Sequence, residues 1–280
     1  MMILHYPFVL SALALCLLLS ATLSVFGHHV VRRGVLFVDL ALAQVAALGS
    51  SAGFLLGWDA HEHPIANFAL ALAFTLAGAA LFAWFRRRRA PIEALIGITY
   101  AGAMALSLIL LEHSATGAEE IREMLVGSIL AVSPRELLAA AAVCAGAGLL
   151  LWFTRGPVFR ITEDPQAASA SGLRLGFWDF LFYAAFGVVV TFSVKAAGVL
   201  LVFAFLITPS LAGILAASGI RGRIIYGWGF SLLACLLGME LSLRMDWSAG
   251  PSIVAVFILL LVLSGSISGR IGGNKGIFNG

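Results

Sequence analysis

Residues 177–217 read FWDFLFYAAFGVVVTFSVKAAGVLLVFAFLITPSLAGILAA, and this stretch decides the fold class. At about 1.5 Å per residue, one helix of that length would reach roughly 60 Å, about twice the hydrocarbon thickness of a bilayer. It therefore reads as two consecutive membrane-spanning helices, 177–193 and 197–217, with the break expected near Ser193 to Lys195. Similar apolar runs lie on either side, near 7–27, 37–57, 65–85, 92–111, 136–154, 224–243 and 251–268. Nine spans are expected, or eight if one run is re-entrant.

Composition agrees. The 280 residues are 61% hydrophobic and 11% charged, with a mean hydropathy of +1.03, whereas soluble domains run near ~45–50% apolar and ~25% charged. A soluble enzyme, a disordered chain and a nucleic-acid binder are thereby excluded. The expected fold is all-α, a polytopic transmembrane helical bundle.

Basic residues test the span count. With the N-terminus outside, inner loops collect Arg32, Arg33, Arg86 to Arg89, Arg155, Arg160, Arg174, Arg221, Arg223, Arg270 and Lys275. Only Arg122, Arg135, Lys195 and Arg244 fall outside. This positive-inside bias alternates through every span and places the C-terminus in the cytoplasm. The +3 net charge thus describes topology rather than affinity for acidic partners. Met1 to Pro7 offers no Lys or Arg for a signal-peptide n-region, so Phe8 to Gly27 is expected to remain as the first span. The loops near 112–135 and 155–176 are too short for a core of their own. One transmembrane domain is expected over 1–268, followed by a flexible cytoplasmic tail, 269–280. No internal repeat is evident.

Ionisable groups at membrane depth are costly and usually functional. Asp39 stands at the start of the second run, either as a functional carboxylate or paired with Arg33 at the interface. Gln44 lies a turn deeper and either faces the pathway or bonds a neighbouring helix. Glu240 lies near the outer end of the eighth run with Arg244 at i+4. Asp246 is expected to pair with Arg244, and Lys195 to snorkel at the outer interface.

Asp59, His61, Glu62 and His63 crowd a short outer loop. Imidazole and carboxylate suit borderline metals, while a solvated polar loop is the plainer reading. His28 and His29 read as interfacial packing, and His5 and His113 are uninformative. Cys16, Cys144 and Cys235 lie far apart in apolar runs and read as small buried hydrophobes.

Two further features are specific. In Glu163-Asp164-Pro165 the aspartate suits an N-cap and the proline a first helical position, with Gly172 as the stop. A short helix at the inner face results, which either receives a docking partner or caps the neighbouring spans. Pro209 frees a backbone carbonyl inside a span, and Thr208 and Ser210 flank it. A packing kink and a pathway lining are both open.

With these residues in view, the chain resembles the integral-membrane subunit of the zinc/manganese/iron family of ATP-binding-cassette importers. The likeness is carried by Arg32-Arg33 leading into FVDLALAQVAALG (37–49), by LVGSILAVSP (125–134) and by EDPQAASASG (163–172). KAAGVLLVFAFLITPSLAG (195–213) and SLRMDWSAGPSIV (242–254) complete the set, in order and well spaced. The resemblance implies a bacterial inner-membrane permease that imports a divalent transition metal and holds no permanent cofactor. Implied partners are cytoplasmic ATP-binding subunits, an extracytoplasmic substrate-binding protein and a second permease copy. ATP would be hydrolysed by the partner, and the chain has no Gly-x4-Gly-Lys-Ser/Thr loop of its own. Glu163, Asp164, Pro165 and Gly172 would then belong to the element that contacts the ATPase.

One departure bears on cargo. The family carries Asp and His four residues apart in the second span, but here those positions are Leu40 and Gln44, with Asp39 one residue early. A five-residue step rotates about 140° and separates the two side chains. Either the metal pair is absent, or a π-bulge realigns it. Gln44 is also a poorer zinc ligand than histidine, so metal could use Glu240 or the His61/His63 loop, or the cargo could be non-metal. A secondary transporter or channel without an ATPase is the competing class, and it leaves the helix at Asp164 unexplained.

Overall fold

A computed structural model of the chain describes residues 7–58, 62–87, 91–112, 125–217 and 219–271. The described residues form ten helices and no strand. In chain order they are α1 (Pro7–Arg32), α2 (Val38–Leu55), α3 (Pro64–Arg87), α4 (Ile92–Leu111), α5 (Pro134–Glu163), α6 (Pro165–Ala170), α7 (Leu175–Ala197), α8 (Val199–Ala216), α9 (Ile220–Met245) and α10 (Ala249–Ile271). All but the six-residue α6 are long, and eight of these nine are apolar enough over their length to cross a membrane. The ninth is α10, whose apolar part covers Ala249–Ser264. The chain is a multi-pass membrane protein.

The helices pack as two groups joined through shared neighbours. α2 lies against α3, α4 and α7, while α9 lies against α8, α10 and α1. Large apolar side chains such as Ile98, Leu138, Phe153 and Leu263 point outward, as a lipid-facing surface requires. Phe26, Phe182 and Phe186 fill the centre, with Phe26 ring centroids 5.6 Å and 5.2 Å from the other two. Small and hydroxylated residues make the close helix contacts typical of membrane bundles. Thr75 of α3 and Thr191 of α7 share a buried hydrogen bond of 2.9 Å.

Exposed tryptophans mark the two interfaces, where amphipathic rings settle. Trp58 and Trp247 follow the ends of α2 and α9, and Trp84 and Trp152 lie toward the basic end, where Arg33 and Arg86 sit. Trp152 matters for α5. This helix has 30 residues, about 45 Å, so it overreaches a ~30 Å hydrocarbon core. The Arg155 guanidinium, one turn further on, lies 4.5 Å over the Trp152 ring.

Three boundary expectations change. The break between the paired spans falls at Gly198 rather than Ser193 to Lys195, because Gly198 adopts φ +80, ψ 156, a conformation open essentially to glycine alone. Residues 155–163, expected as loop, continue α5 through Pro157. Proline removes a single hydrogen bond there, and Val158, Ile161 and Thr162 keep that part of the helix packed. Asp246 does not pair with Arg244. It takes the left-handed C-cap of α9 at φ 53, and Arg244 bonds Glu240 at 2.9 Å instead.

At the end opposite the basic residues, Leu125 to Ala131 wedge between helices. Gly127 packs on the Ala197–Gly198 peptide, and Gly250 of α10 approaches the Val126 carbonyl. A capping box then starts α5: the Glu136 amide donates to Ser133 Oγ at 3.2 Å, and the Ser133 amide donates to Glu136 Oε2 at 2.8 Å.

Candidate functional site

α2 begins right after a five-residue turn from α1, with Gly34 at φ +68. Asp39 is therefore in its first turn, where the amide dipoles favour a carboxylate. The residue is 1% exposed, and neither carboxylate oxygen has a hydrogen-bond partner among the described residues. A lone buried carboxylate is costly, and a cation or a proton offsets that cost.

The alternative pairing with Arg33 does not form. Arg33 turns to Asp179 of α7, with Nη1 to Oδ1 at 2.8 Å.

Gln44 lies five residues on. α2 is regular α-helix throughout, with no π turn. Of the two alternatives the realigning bulge is thus absent, and Asp39 and Gln44 leave the helix about 140° apart and roughly 7.5 Å apart along its axis. Gln44 is 7% exposed and opens on a small pocket lined also by Met104, Ser107, Leu108, Leu111 and Leu125. Its amide has no hydrogen-bond partner among the described residues. Ser107 of α4, in the same lining, donates to the Ala103 carbonyl at 2.9 Å.

Glu240 is not part of this pocket. It lies near the far end of α9, among α8, α10 and α1, paired with Arg244. In the loop between α2 and α3, Glu62 and His63 are exposed, while Asp59 and His61 lie outside the described residues. Among the described residues, no three His, Cys, Asp or Glu side chains are grouped to hold a metal. Lys195 is exposed at the last turn of α7.

Thr208, Pro209 and Ser210 occupy a tight helix crossing. Gly27 of α1 packs against the Leu206 carbonyl and Ser210, and Gly227 of α9 packs on the Pro209 carbonyl. The single Ser210 hydroxyl proton is shared between the Leu206 carbonyl of its own turn and the Ser24 carbonyl of α1, at 2.9 Å and 3.1 Å.

At the basic end the short helix expected at Glu163 is present. Asp164 caps α6, accepting from the Gln166 and Ala167 amides at 2.9 Å each. Pro165 opens it, and Gly172 at φ +82 ends it, its amide bonding the Ser169 carbonyl at 3.0 Å. Only Ala168 of α6 is buried, so the helix presents its remaining residues to solvent. Glu163 pairs with Arg32 at 2.8 Å.

Behind α6 lies a buried charge cluster that reading the sequence passed over. Asp179 is 2% exposed, bonded to Arg33 and 3.5 Å from Arg86 Nη1 of α3. Burial pulls the Arg33 guanidinium below its ordinary pKa, and the Asp179 charge opposes that pull. Asp179 satisfies the criterion that singled out Asp39, a carboxylate inside an apolar run. Thr162, Tyr183, Met104 and Ser107 carry no comparable signal in the sequence.

The chain matches a known family, described as the ABC 3 transport family, over residues 5–268. It is similar to the manganese import system permease protein ScaB of Streptococcus gordonii, at 24% identity over 92% of this chain and 91% of that protein. It is also similar to the chelated iron transport system membrane protein YfeD of Yersinia pestis, at 23% identity over 92% and 85%. Among solved structures it shares the fold of PsaBC from Streptococcus pneumoniae in complex with Fab, with TM-score 0.78 and 24% identity, covering 94% of this chain and 92% of that one.

Proposed function

This chain belongs to the ABC 3 transport family, and on that premise we propose that it is the membrane permease of an ATP-driven importer for a divalent transition metal. The observation that carries the cargo class is Asp39, a buried carboxylate in a membrane helix with both oxygens unpartnered among the described residues. Its natural complement is a cation.

The donor types narrow the choice. Asp39 and Gln44 offer oxygen, which suits manganese and ferrous iron better than zinc, whose preferred ligands are nitrogen and sulfur. Manganese and iron also stand in the names of similar permeases. Because the two side chains diverge around α2, they act as successive stations rather than one chelate, Gln44 first and Asp39 nearer the basic end. Glu240, toward the opposite end, is an entry-side carboxylate. The Thr208-Pro209-Ser210 crossing acts in packing, since Ser210 bonds Ser24 of α1 and the Pro209 carbonyl is covered by Gly227 of α9.

The basic end faces the cytoplasm, with the N-terminus outside and residues 1–268 as one permease domain. There α6, capped by Asp164 and carried past the membrane by α5, docks a separate ATP-hydrolysing subunit. A substrate-binding protein delivers metal at the opposite end, and a second permease copy completes the complex. The test is ATP hydrolysis by the chain assembled with its ATPase, titrated with manganese, iron, zinc and cobalt. Stimulation by manganese or iron supports the reading, and hydrolysis indifferent to all four metals removes the metal cargo.

A further inference from the structure

The cluster around Asp179 joins four helices at one point. Arg33, immediately after α1, donates through Nη1 to Asp179 Oδ1 at 2.8 Å and through Nε to Thr162 Oγ1 of α5 at 3.0 Å. Its guanidinium also lies 4.2 Å from the centre of the Phe182 ring of α7. Arg86 of α3 reaches the same Asp179 oxygen at 3.5 Å and Tyr183 Oη at 3.3 Å. The Thr162 oxygen also lies 2.8 Å from the Val158 carbonyl, to which it donates, and shares a 3.0 Å hydrogen bond with His29 Nδ1.

Burial makes these bonds strong and their loss expensive. The Arg33 and Asp179 side chains are 0% and 3% exposed, and breaking such a pair leaves a charge without its partner. A charge-assisted, multi-donor arrangement of this kind also fixes orientation, not merely proximity.

Position gives the cluster its meaning. Thr162 is two residues before Asp164, the cap of α6, and Glu163 between them holds Arg32. Arg33 opens the short turn that ends in α2, six residues before Asp39. From these contacts we infer that Asp179 is a positioning residue that couples the ATPase contact to the cargo helix. It clamps Thr162 and the root of α6 to Arg33 and the α1–α2 turn, so that displacement of α6 moves the start of α2. The inference rests on the reading of α6 as the ATPase contact. Rigid transmission needs a joint that moves as one body, and here Asp179, Arg33, Arg86 and Thr162 supply it.

The experiment uses the assembled complex in proteoliposomes and reads two rates, ATP hydrolysis and metal uptake, for wild type, Asp179→Asn, Asp179→Glu, Thr162→Val and Arg155→Gln. In Asp179→Asn, hydrolysis is expected to persist while metal moved per ATP falls about tenfold, within the usual range of coupling between sites. Asp179→Glu keeps the charge and should recover much of the ratio, and Arg155→Gln should leave it at the wild-type value. Thr162→Val removes three hydrogen bonds and leaves every charged side chain in place, so it decides the matter if Asp179→Asn does not assemble, and a fallen ratio there supports the joint. An unchanged ratio in Thr162→Val, or hydrolysis and uptake declining in step in Asp179→Asn, overturns it. A wild-type chain that forms no hydrolysing complex overturns the ATPase reading itself, and that result appears before any variant is compared.

Discussion

Gly127 and Gly198 meet backbone against backbone. A Cβ on Gly198 would stand 2.5 Å from the Gly127 amide nitrogen, and a Cβ on Gly127 would overlap the Ala197–Gly198 peptide. Both residues have positive φ, +69 and +80. The contact closes the end of the bundle opposite the basic residues, where α7 gives way to α8 and the 125–131 segment enters.

Gly198→Ala is therefore expected to lower stability by about 1–3 kcal/mol from backbone conformation alone, with the overlap adding to it. Gly127→Ala should behave alike, and the double variant should cost less than the sum, because each methyl group relaxes the same contact. Thermal unfolding in detergent reads all three. Unchanged melting in either single variant would contradict the contact.

Asp39→Ala separates stability from transport. Among the described residues the carboxylate has no hydrogen-bond partner, so its removal should leave melting unchanged or raise stability by about 1 kcal/mol. Metal uptake should nevertheless fall by roughly tenfold or more, as expected for loss of a ligand. A variant that melts early and transports normally would reverse both halves of this expectation.

Asp164→Ala removes the acceptor of two amide bonds at the start of α6. A lost N-cap costs about 0.5–2 kcal/mol of local helix stability. Because α6 has six residues and is too short to hold itself, the helix should fray and ATPase binding should weaken, while global melting changes little. Pull-down titration of the ATPase against the variant measures this.

Much of this was legible in the sequence, for physical reasons. Span positions followed from apolar run lengths, and Ile92–Leu111 emerged with the bounds expected. The cap at Asp164, the first-turn Pro165 and the stop at Gly172 are local chemistry, settled within ten residues. Gly198 was mislocated because polar Ser193 and Lys195 drew the break, although a glycine that tolerates positive φ was three residues further on. The Asp179 cluster depends on residues 146 apart in sequence, Arg33 and Asp179. Each was visible as a charge, but their meeting is a property of helix packing. Likewise the neighbours of Gln44, Met104 and Ser107 on α4, carry no periodic or motif signal.

Gln44→His supplies the imidazole that the family resemblance implies at this position. Nitrogen in place of a neutral carbonyl donor should shift preference toward zinc. Competition of zinc against manganese in the uptake assay should move in zinc's favour by about tenfold or more. An unaltered ratio would remove Gln44 from the cargo path.

The most direct measurement is radioactive manganese accumulation in sealed proteoliposomes holding the chain, its ATPase and its binding protein, with and without ATP. Accumulation that requires ATP, survives collapse of ion gradients and disappears in Asp39→Ala is the expected result. Accumulation driven by an ion gradient without ATP, or ATP hydrolysis with no movement of manganese, iron or zinc, would contradict the assignment of this chain as the permease of an ATP-driven metal importer.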